Sequence, residues 1–187
     1  ANGKSEFIGI IIPNLYLHYY SEMLNQILSS YSDYHYKFLV FVSSDKKELE
    51  QQYLDELMAY KIEGLIILSH TFSSKELASY HIPIVAIERE AEHICSVNTD
   101  NYMGAVQATN LLIRNQCDIL IHVNVPVPEQ IPSYNRIRGF EDTCKEYNIP
   151  YHLMLQDLGY NYETTYNAIR KVFEQIDSSY SDKKKGV

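Results

Sequence analysis

Two groups of side chains in this sequence have the chemistry to bind a small polar ligand. Tyr16, Tyr19 and Tyr20 follow the first apolar run, in a chain with 17 tyrosines and no tryptophan. Tyrosine rings offer flat stacking surfaces and hydroxyl groups, as in sites for sugars and bases. Glu88-Arg89 follows the fourth apolar run, where a carboxylate can accept charge-assisted hydrogen bonds from ligand hydroxyls. Structural alternatives stay open, since Tyr20 can begin a helix stripe and adjacent opposite charges often form a surface ion pair.

The sequence lacks the short motifs of phosphate-binding loops, activated nucleophiles and zinc sites. It contains no GxxxxGKS/T, GxGxxG or GxSxG segment. Its seven histidines show no HxH or HExxH spacing, and Cys95, Cys117 and Cys144 form no CxxC pair. We interpret His122, inside an apolar run, as a core or rim residue rather than a ligand. We therefore expect no metal, no cofactor and no enzymatic activity, and reduced cysteines in a cytoplasmic protein.

Composition argues against two further classes of protein. The chain has 187 residues, 45% of them hydrophobic, which is typical of one or two globular domains. With 24 acidic against 16 basic residues the formal net charge is −8, and basic residues cluster only at 183–185. DNA binding needs a clustered basic face, so this chain is not expected to contact DNA directly. The longest apolar runs, 8–13 and 65–68, are too short to span a bilayer, so no membrane partner is expected.

The elements that would position these side chains alternate between strands and helices. Short apolar, β-branched runs predict strands at 7–13, 37–42, 64–69 and 83–87, with a brief extended piece at 94–97. Helical periods lie between them, over 20–31, 49–58 and 74–80. Ser73 or Ser74 is expected to cap the last of these helices. The alternation indicates βαβ units around a parallel sheet, which binds ligands at the carboxyl ends of its strands.

The pattern then restarts and predicts a second lobe, so that residues 6–101 and 102–187 are expected to form two domains. Strands are predicted at 119–125 and 152–155, and helices over 102–115, after Ser133, and after Asn161 or Thr164. Two strands are few for a doubly wound domain. We therefore expect the second lobe to be incomplete here, with a next strand beginning at Gly186.

Five segments of the sequence carry specific phrases in a fixed order and spacing. They are residues 8–14 (IGIIIPN), 63–67 (EGLII), 83–89 (PIVAIER), 97–113 (VNTDNYMGAVQATNLLI) and 136–140 (RIRGF). Together they resemble the effector domain of the lactose/galactose-repressor (LacI/GalR) family of bacterial transcriptional regulators. The first three segments resemble its first, third and fourth strands, the fourth resembles the stretch at which that domain crosses from its first lobe to its second, and the last resembles its R-x-x-GF motif. Each phrase is common in α/β proteins, but five in register are a specific signal.

The resemblance implies a periplasmic-binding-protein-like α/β fold with two doubly wound parallel-sheet lobes, incomplete at both ends in this sequence. It implies a small effector bound between the lobes: a sugar, a sugar phosphate or a purine. It also implies a homodimeric regulator that meets operator DNA through an N-terminal head outside this sequence. The ligand-binding residues implied by the family pattern are Leu15, Tyr19, Tyr20, Ser44, Glu88, Asp100, Arg136 and Tyr160.

The resemblance gives several of these residues individual roles. Glu88 stands where the family usually has aspartate, and Asp100 would lie at the crossover between lobes. Arg136 would be the cleft arginine of the second lobe, suited to bidentate contacts, and Tyr160 would stack on the ligand.

Two alternatives remain open at the level of sequence. A solute-binding protein of a sugar ABC transporter shares the fold, although three cysteines and an N-terminus without an apolar signal-peptide core weigh mildly against it. An enzyme on a flavodoxin-like or nucleotide-binding sheet is less compatible, because the glycine loops and a catalytic constellation are missing.

Overall fold

A computed structural model describes residues 5–89, 92–159 and 161–187 of the chain. These residues form two compact units, the first ending at Asn98 and the second running from Thr99 to Val187. Each unit contains a parallel sheet. The division into domains at 6–101 and 102–187 stays a prediction.

The described part of the first unit is a parallel sheet with helices packed on both faces. Its strands are β1 (Phe7–Ile12), β2 (Lys37–Val42), β3 (Gly64–Ile67), β4 (Ile84–Ile87) and β5 (Cys95–Val97), in the order β2-β1-β3-β4-β5. Its helices are α1 (His18–Ser29), α2 (Tyr31–Tyr34), α3 (Lys47–Ala59) and α4 (Ser74–Ala78). The predicted α/β pattern of this half is confirmed, and Ser73 is the residue that caps α4.

Burial on both faces explains why the first strand is continuously apolar. Successive strand residues point to opposite faces of the sheet. Ile11 packs in the cluster that contains Leu57 of α3, whereas Ile10 and Ile12 pack with Leu24 of α1. All three isoleucines are fully buried. β1 therefore contributes buried side chains to the hydrophobic core on both faces of the sheet.

The second unit is built in the same way around a smaller sheet. Its described elements are α5 (Asn101–Arg114), β6 (Ile119–Asn124), α6 (Asn135–Glu146), β7 (Tyr151–Leu155), α7 (Tyr162–Ser179) and β8 (Lys185–Gly186). The strands are parallel, in the order β7-β6-β8. Ile121 packs with Val172 and Ile176 of α7, and Leu120 packs with Phe140 of α6 on the other face.

The structure revises two local predictions in the second unit and decides between the two candidates of a third. Ser133 does not cap α6: a 3-10 turn over Pro132–Tyr134 leads directly into the helix, and Tyr134 makes no side-chain cap bond. Proline favours such a turn because its φ is already set. Asn161, one of two predicted candidates, caps α7 by accepting from the Thr164 N–H at 3.0 Å. The last strand starts at Lys185, one residue before the predicted Gly186.

None of the helices in the described residues combines the length and the apolar character that crossing a membrane requires.

Candidate functional site

The second unit contains a cavity of about 560 Å³ beside β6. Helices α5, α6 and α7 contribute to its walls, and much of the lining is apolar, including Ala108, Leu112 and Phe173. A smaller set of polar side chains comes from β6 and from the first residues of α5 and α6. An apolar cavity with a few convergent polar groups has the composition of a site for a small organic ligand.

The polar set begins with the cap of α5. The Asp100 carboxylate accepts a hydrogen bond from the backbone N–H of Met103 at 3.0 Å, as an N-cap residue does. Asn101 is 4% exposed and donates from its side-chain amide to the Thr99 carbonyl at 3.2 Å. The segment Thr-Asp-Asn therefore places a carboxylate and a buried amide at the edge of the cavity.

Arg136 reaches the same place from the first turn of α6. Its Nε donates to the side-chain oxygen of Asn101 at 2.6 Å. Because a guanidinium carries five N–H donors, this single bond orients the group and leaves most of its donors for another partner. A guanidinium oriented in this way is suited to bidentate recognition of carboxylate or phosphate oxygens and to hydrogen bonding with hydroxyls.

His122 adds a polar group whose charge state is controlled by its surroundings. Its ring lies 5.0 Å from the ring of Phe140. Burial lowers the pKa of His122, and the positive charge of Arg136 lowers it further. The imidazole is therefore neutral at pH 7 and offers one hydrogen-bond donor and one acceptor.

A second group of polar side chains follows the carboxyl ends of the strands in the first unit. Tyr19 and Tyr20 are in edge-to-face contact, with ring centroids 5.2 Å apart. Burial raises the pKa of Tyr20 to about 12, and the charge of Asp45 adds to this. Both effects keep the Tyr20 hydroxyl protonated, so it remains a hydrogen-bond donor at all physiological pH values.

Backbone strain also lies at this edge. Ser44 and Glu88 have φ values of 52° and 54°, in the left-handed region that side chains other than glycine rarely adopt. The Ser44 N–H donates to the Pro13 carbonyl at 2.8 Å, and the Glu88 N–H donates to the Val97 carbonyl at 3.0 Å. Such strain is often found where a fold orients binding groups.

The predicted site residues thus fall into two sets, one in each unit. Asp100 and Arg136 line the same cavity of the second unit. Five others lie on segments that leave the carboxyl ends of β1, β2 and β4, or at the start of α1: Leu15, Tyr19, Tyr20, Ser44 and Glu88. Tyr160 lies outside the described residues. The role of each of these residues in binding stays a prediction.

The structure adds polar residues that the sequence analysis did not select. Asn101 was missed although it follows Asp100 directly, and His122 lines the cavity rather than only its rim. A polar residue within an apolar strand was the available signal for His122. The interpretation of Glu88-Arg89 as a surface ion pair is wrong for Arg89, which is 6% exposed and donates to the Ser69 carbonyl at 3.0 Å.

Within 5–89, 92–159 and 161–187, no group of three or more His, Cys, Asp or Glu side chains is arranged to hold a metal ion. Cys95, Cys117 and Cys144 are free thiols.

Comparison with known proteins places this architecture in a family. The family model for periplasmic binding proteins and the sugar-binding domain of the LacI family matches residues 5–176. The ribose operon repressor of Halalkalibacterium halodurans is 27% identical over 146 residues, which are 78% of this chain and 44% of that protein. The sucrose operon repressor of Streptococcus mutans is 29% identical over 153 residues, or 81% of this chain and 48% of that protein.

A solved structure supports the fold. The Cra transcriptional dual regulator of Pseudomonas putida, in complex with fructose 1-phosphate, superimposes with a TM-score of 0.75 at 20% identity. The match covers 95% of this chain and 66% of the Pseudomonas chain. The chain spans less than half the length of either repressor named above.

Proposed function

We infer that this chain, which belongs to the family of periplasmic binding proteins and LacI-type sugar-binding domains, is the effector-binding part of a bacterial transcriptional regulator. Its effector is a sugar or a sugar phosphate. Operator DNA is contacted by a head outside this sequence, in a homodimeric protein of the cytoplasm. The repressor relatives support a regulator rather than an enzyme.

The observation that carries this proposal is the orientation of Arg136 by Asn101 beside an apolar cavity. A sugar presents apolar C–H faces and a ring of hydroxyls, so it needs apolar walls and fixed polar groups at the same time. The Asp100 carboxylate is an acceptor, and the Arg136 guanidinium supplies several donors. The neutral His122 ring supplies one donor and one acceptor. A phosphate on the sugar would find its counter-charge in Arg136.

The regulatory step follows from differential binding. An effector that binds one conformation of a two-state protein better than the other shifts the equilibrium by the difference in its two binding free energies. Coupling energies of this kind are typically about 1–3 kcal/mol. In this proposal, contacts to Arg136 form in one conformation of the regulator and thereby change the affinity of the head for DNA.

The test is titration calorimetry with ribose, sucrose and fructose 1-phosphate on the chain and on an Arg136→Ala variant. A lost charge-assisted hydrogen bond costs about 1.5–3 kcal/mol, so we expect affinity to fall roughly 10- to 150-fold. Arg138→Ala is the matched control, since Arg138 lies on the same helix and forms an exposed ion pair with Glu129 at 3.6 Å. Equal affinities for the Arg136 and Arg138 variants would contradict the assignment.

The transporter alternative is distinguished by the native gene. A reading frame that encodes a helix-turn-helix head before this segment supports the regulator. A reading frame that encodes a cleavable signal peptide there instead supports a solute-binding protein, and the proposed DNA partner is then withdrawn.

A further inference from the structure

The loop of residues 69–72, between β3 and α4, is held from two sides by buried ionisable side chains. Arg89, which follows β4, donates to the Ser69 carbonyl at 3.0 Å and also to the Phe72 carbonyl. From the other side, the Glu50 carboxylate of α3 accepts a hydrogen bond from the Thr71 hydroxyl. Three residues of this four-residue loop are thereby tied to neighbouring elements.

Both holding groups are deeply buried. Glu50 has no exposed surface, and Arg89 is 6% exposed. Among the residues that the structure describes, one carboxylate oxygen of Glu50 and the Nε of Arg89 are buried atoms without a hydrogen-bond partner. Burial lowers the pKa of Arg89, while the negative charge of Glu50 opposes that shift and favours the charged guanidinium.

Two buried charges of this kind contribute little to the stability of a fold. Buried charges with incompletely satisfied polar atoms destabilise a protein relative to apolar side chains of similar volume. A local cost of this kind is typical of positions retained for function. Glu50 and Arg89 therefore indicate that the conformation of the 69–72 loop matters beyond stability.

The side chain that the loop leaves accessible is His70. It lies directly after Ser69 at the carboxyl end of β3, and it is exposed although Ser69 beside it is fully buried. β3 and β4 are neighbouring parallel strands with Ile67 opposite Ala86, so His70 and Glu88 follow them at the same edge of the sheet. Desolvation and then Arg89 lower the pKa of His70, so the ring is neutral at pH 7 and can both donate and accept.

We propose that Glu50 and Arg89 are positioning residues that hold the 69–72 loop so that His70 contacts the effector beside Glu88. The proposal rests on the proposed function, because it adds a specificity-determining residue to the strand-end surface of the first unit. A neutral imidazole next to a carboxylate recognises a pair of hydroxyls, one as donor and one as acceptor.

The positioning part is tested without any ligand, by nitrogen-15 relaxation of the backbone amides of residues 70–72 in the chain. Arg89→Lys replaces the two guanidinium nitrogens that bond the Ser69 and Phe72 carbonyls by a single ammonium group, and Glu50→Leu removes the carboxylate at similar volume. We expect the order parameters of His70 to Phe72 to fall to about 0.6 or below in both variants. Gln51→Leu is the control, since Gln51 follows Glu50 on α3 and donates to the Tyr80 hydroxyl at 2.8 Å, outside the loop. Loop order parameters equal to those of the unaltered chain in both variants overturn the positioning role.

Stability separates positioning from a merely structural role. Removing Glu50 alone would leave the Arg89 charge buried without the negative charge that supports it, so the variant for this test is Glu50→Leu/Arg89→Met, which replaces both charges by apolar side chains. Its melting temperature should stay within about 3 °C of the unaltered chain, or rise, while the loop becomes more mobile. If the double variant lowers the melting temperature together with exchange protection throughout the first unit, Glu50 and Arg89 are structural residues and the proposal fails.

The recognition part is tested by calorimetry with ribose, sucrose and fructose 1-phosphate. We expect His70→Asn to weaken binding at least fivefold. His81→Asn is the matched control: His81 is exposed in the turn before β4, at the opposite end of the sheet, and its φ of 54° suits asparagine. Binding that is unchanged in His70→Asn overturns the role of His70 alone. If the unaltered chain binds none of the probes, both the proposed function and the role of His70 fail, and the relaxation data still decide on the loop.

Discussion

Replacing Gly139 by alanine should destabilise the second unit and disturb the orientation of Arg136. Gly139 lies where α6 packs against α5, and a β-carbon there would meet the Tyr102 carbonyl oxygen at 2.5 Å and the Ala105 β-carbon at 3.1 Å. Since the oxygen belongs to the backbone of a helix, no side-chain rotation can relieve the contact, and the helices must separate by roughly half an ångström. Asn101 is adjacent to Tyr102 in α5, and Arg136 lies one turn before Gly139 in α6. The 2.6 Å bond between Asn101 and Arg136 spans the same helix pair and should lengthen.

The magnitude follows from two opposing terms. Overpacking costs about 1–3 kcal/mol, and a clash with backbone belongs at the upper end of that range. Alanine in a helix interior recovers about 1 kcal/mol relative to glycine. We therefore expect Gly139→Ala to lower the free energy of unfolding of the second unit by about 2 kcal/mol. Gly104→Ala in α5 adds the same methyl group where, apart from the adjacent helix backbone, no atom of the described residues lies within 4 Å, so it should raise that free energy by about 0.5–1 kcal/mol.

The assay is hydrogen exchange of the β6 amides under native conditions, because the slowest amides of a core strand report the opening free energy of their own unit. Leu120 and Ile121 are the probes, since both are buried in the centre of the sheet. Opposite signs for the two alanine variants are expected. A Gly139→Ala variant as stable as Gly104→Ala would refute the reasoning, because the two helices would then be able to move apart without cost.

Three further predictions concern the cap of α4 and the cysteines. In the capping box of α4, the Ser73 hydroxyl accepts from the Glu76 N–H and the Glu76 carboxylate accepts from the Ser73 N–H. Ser73→Ala removes the hydroxyl, so urea unfolding should show a free energy of unfolding lower by about 1 kcal/mol. Ser73→Thr should keep most of the stabilisation by the cap. Hydrogen bonds from the Ser73 backbone and from Lys47 hold the pKa of Glu76 at about 2, below its ordinary 4.5. The stabilisation by ionised Glu76 is therefore present above pH 4.5 and lost as the pH falls toward 2. Because Ser73→Ala keeps the Ser73 N–H and Lys47, the variant for this test is Glu76→Gln, whose free energy of unfolding should vary less with pH in that window; a pH dependence identical to that of the unaltered chain would contradict the role of Glu76 in the cap. Burial raises the pKa of the Cys144 thiol to about 11. Maleimide should therefore modify exposed Cys95 in the native chain and Cys144 only after unfolding, as detected by peptide mass spectrometry. Equal labelling rates of the two cysteines in the native chain would show that solvent reaches Cys144.

The local elements were predictable because the forces that form them act over a few residues. The run KFLVFV predicts a strand at 37–42, and β2 has those bounds. Asn161 can cap a helix because its side chain reaches an N–H three residues away. Prediction is weaker where two local signals compete, as at Ser133, where a proline-led turn takes the place of a side-chain cap.

The family resemblance extended prediction from elements to the fold, and the match to residues 5–176 confirms it. Of the predicted site residues, Asp100 and Arg136 line one cavity of the second unit. The sequence supplied their types and their places at the starts of two helices, but it contained no information on the distance between them.

Only tertiary structure decided which polar groups meet. Asn101 and Arg136 are 35 residues apart, and their bond depends on the close approach of α5 and α6 at Gly139. From the sequence, Arg89 is interpreted as a surface charge beside Glu88. In the structure its buried guanidinium donates to two carbonyls of the 69–72 loop. The amino-acid sequence by itself determined the strands, the helices and the edge at which polar residues collect, because side-chain period and backbone preference are local properties. The partner of each polar group was decided by packing between elements distant in the chain, where a shift of half an ångström makes or breaks a hydrogen bond.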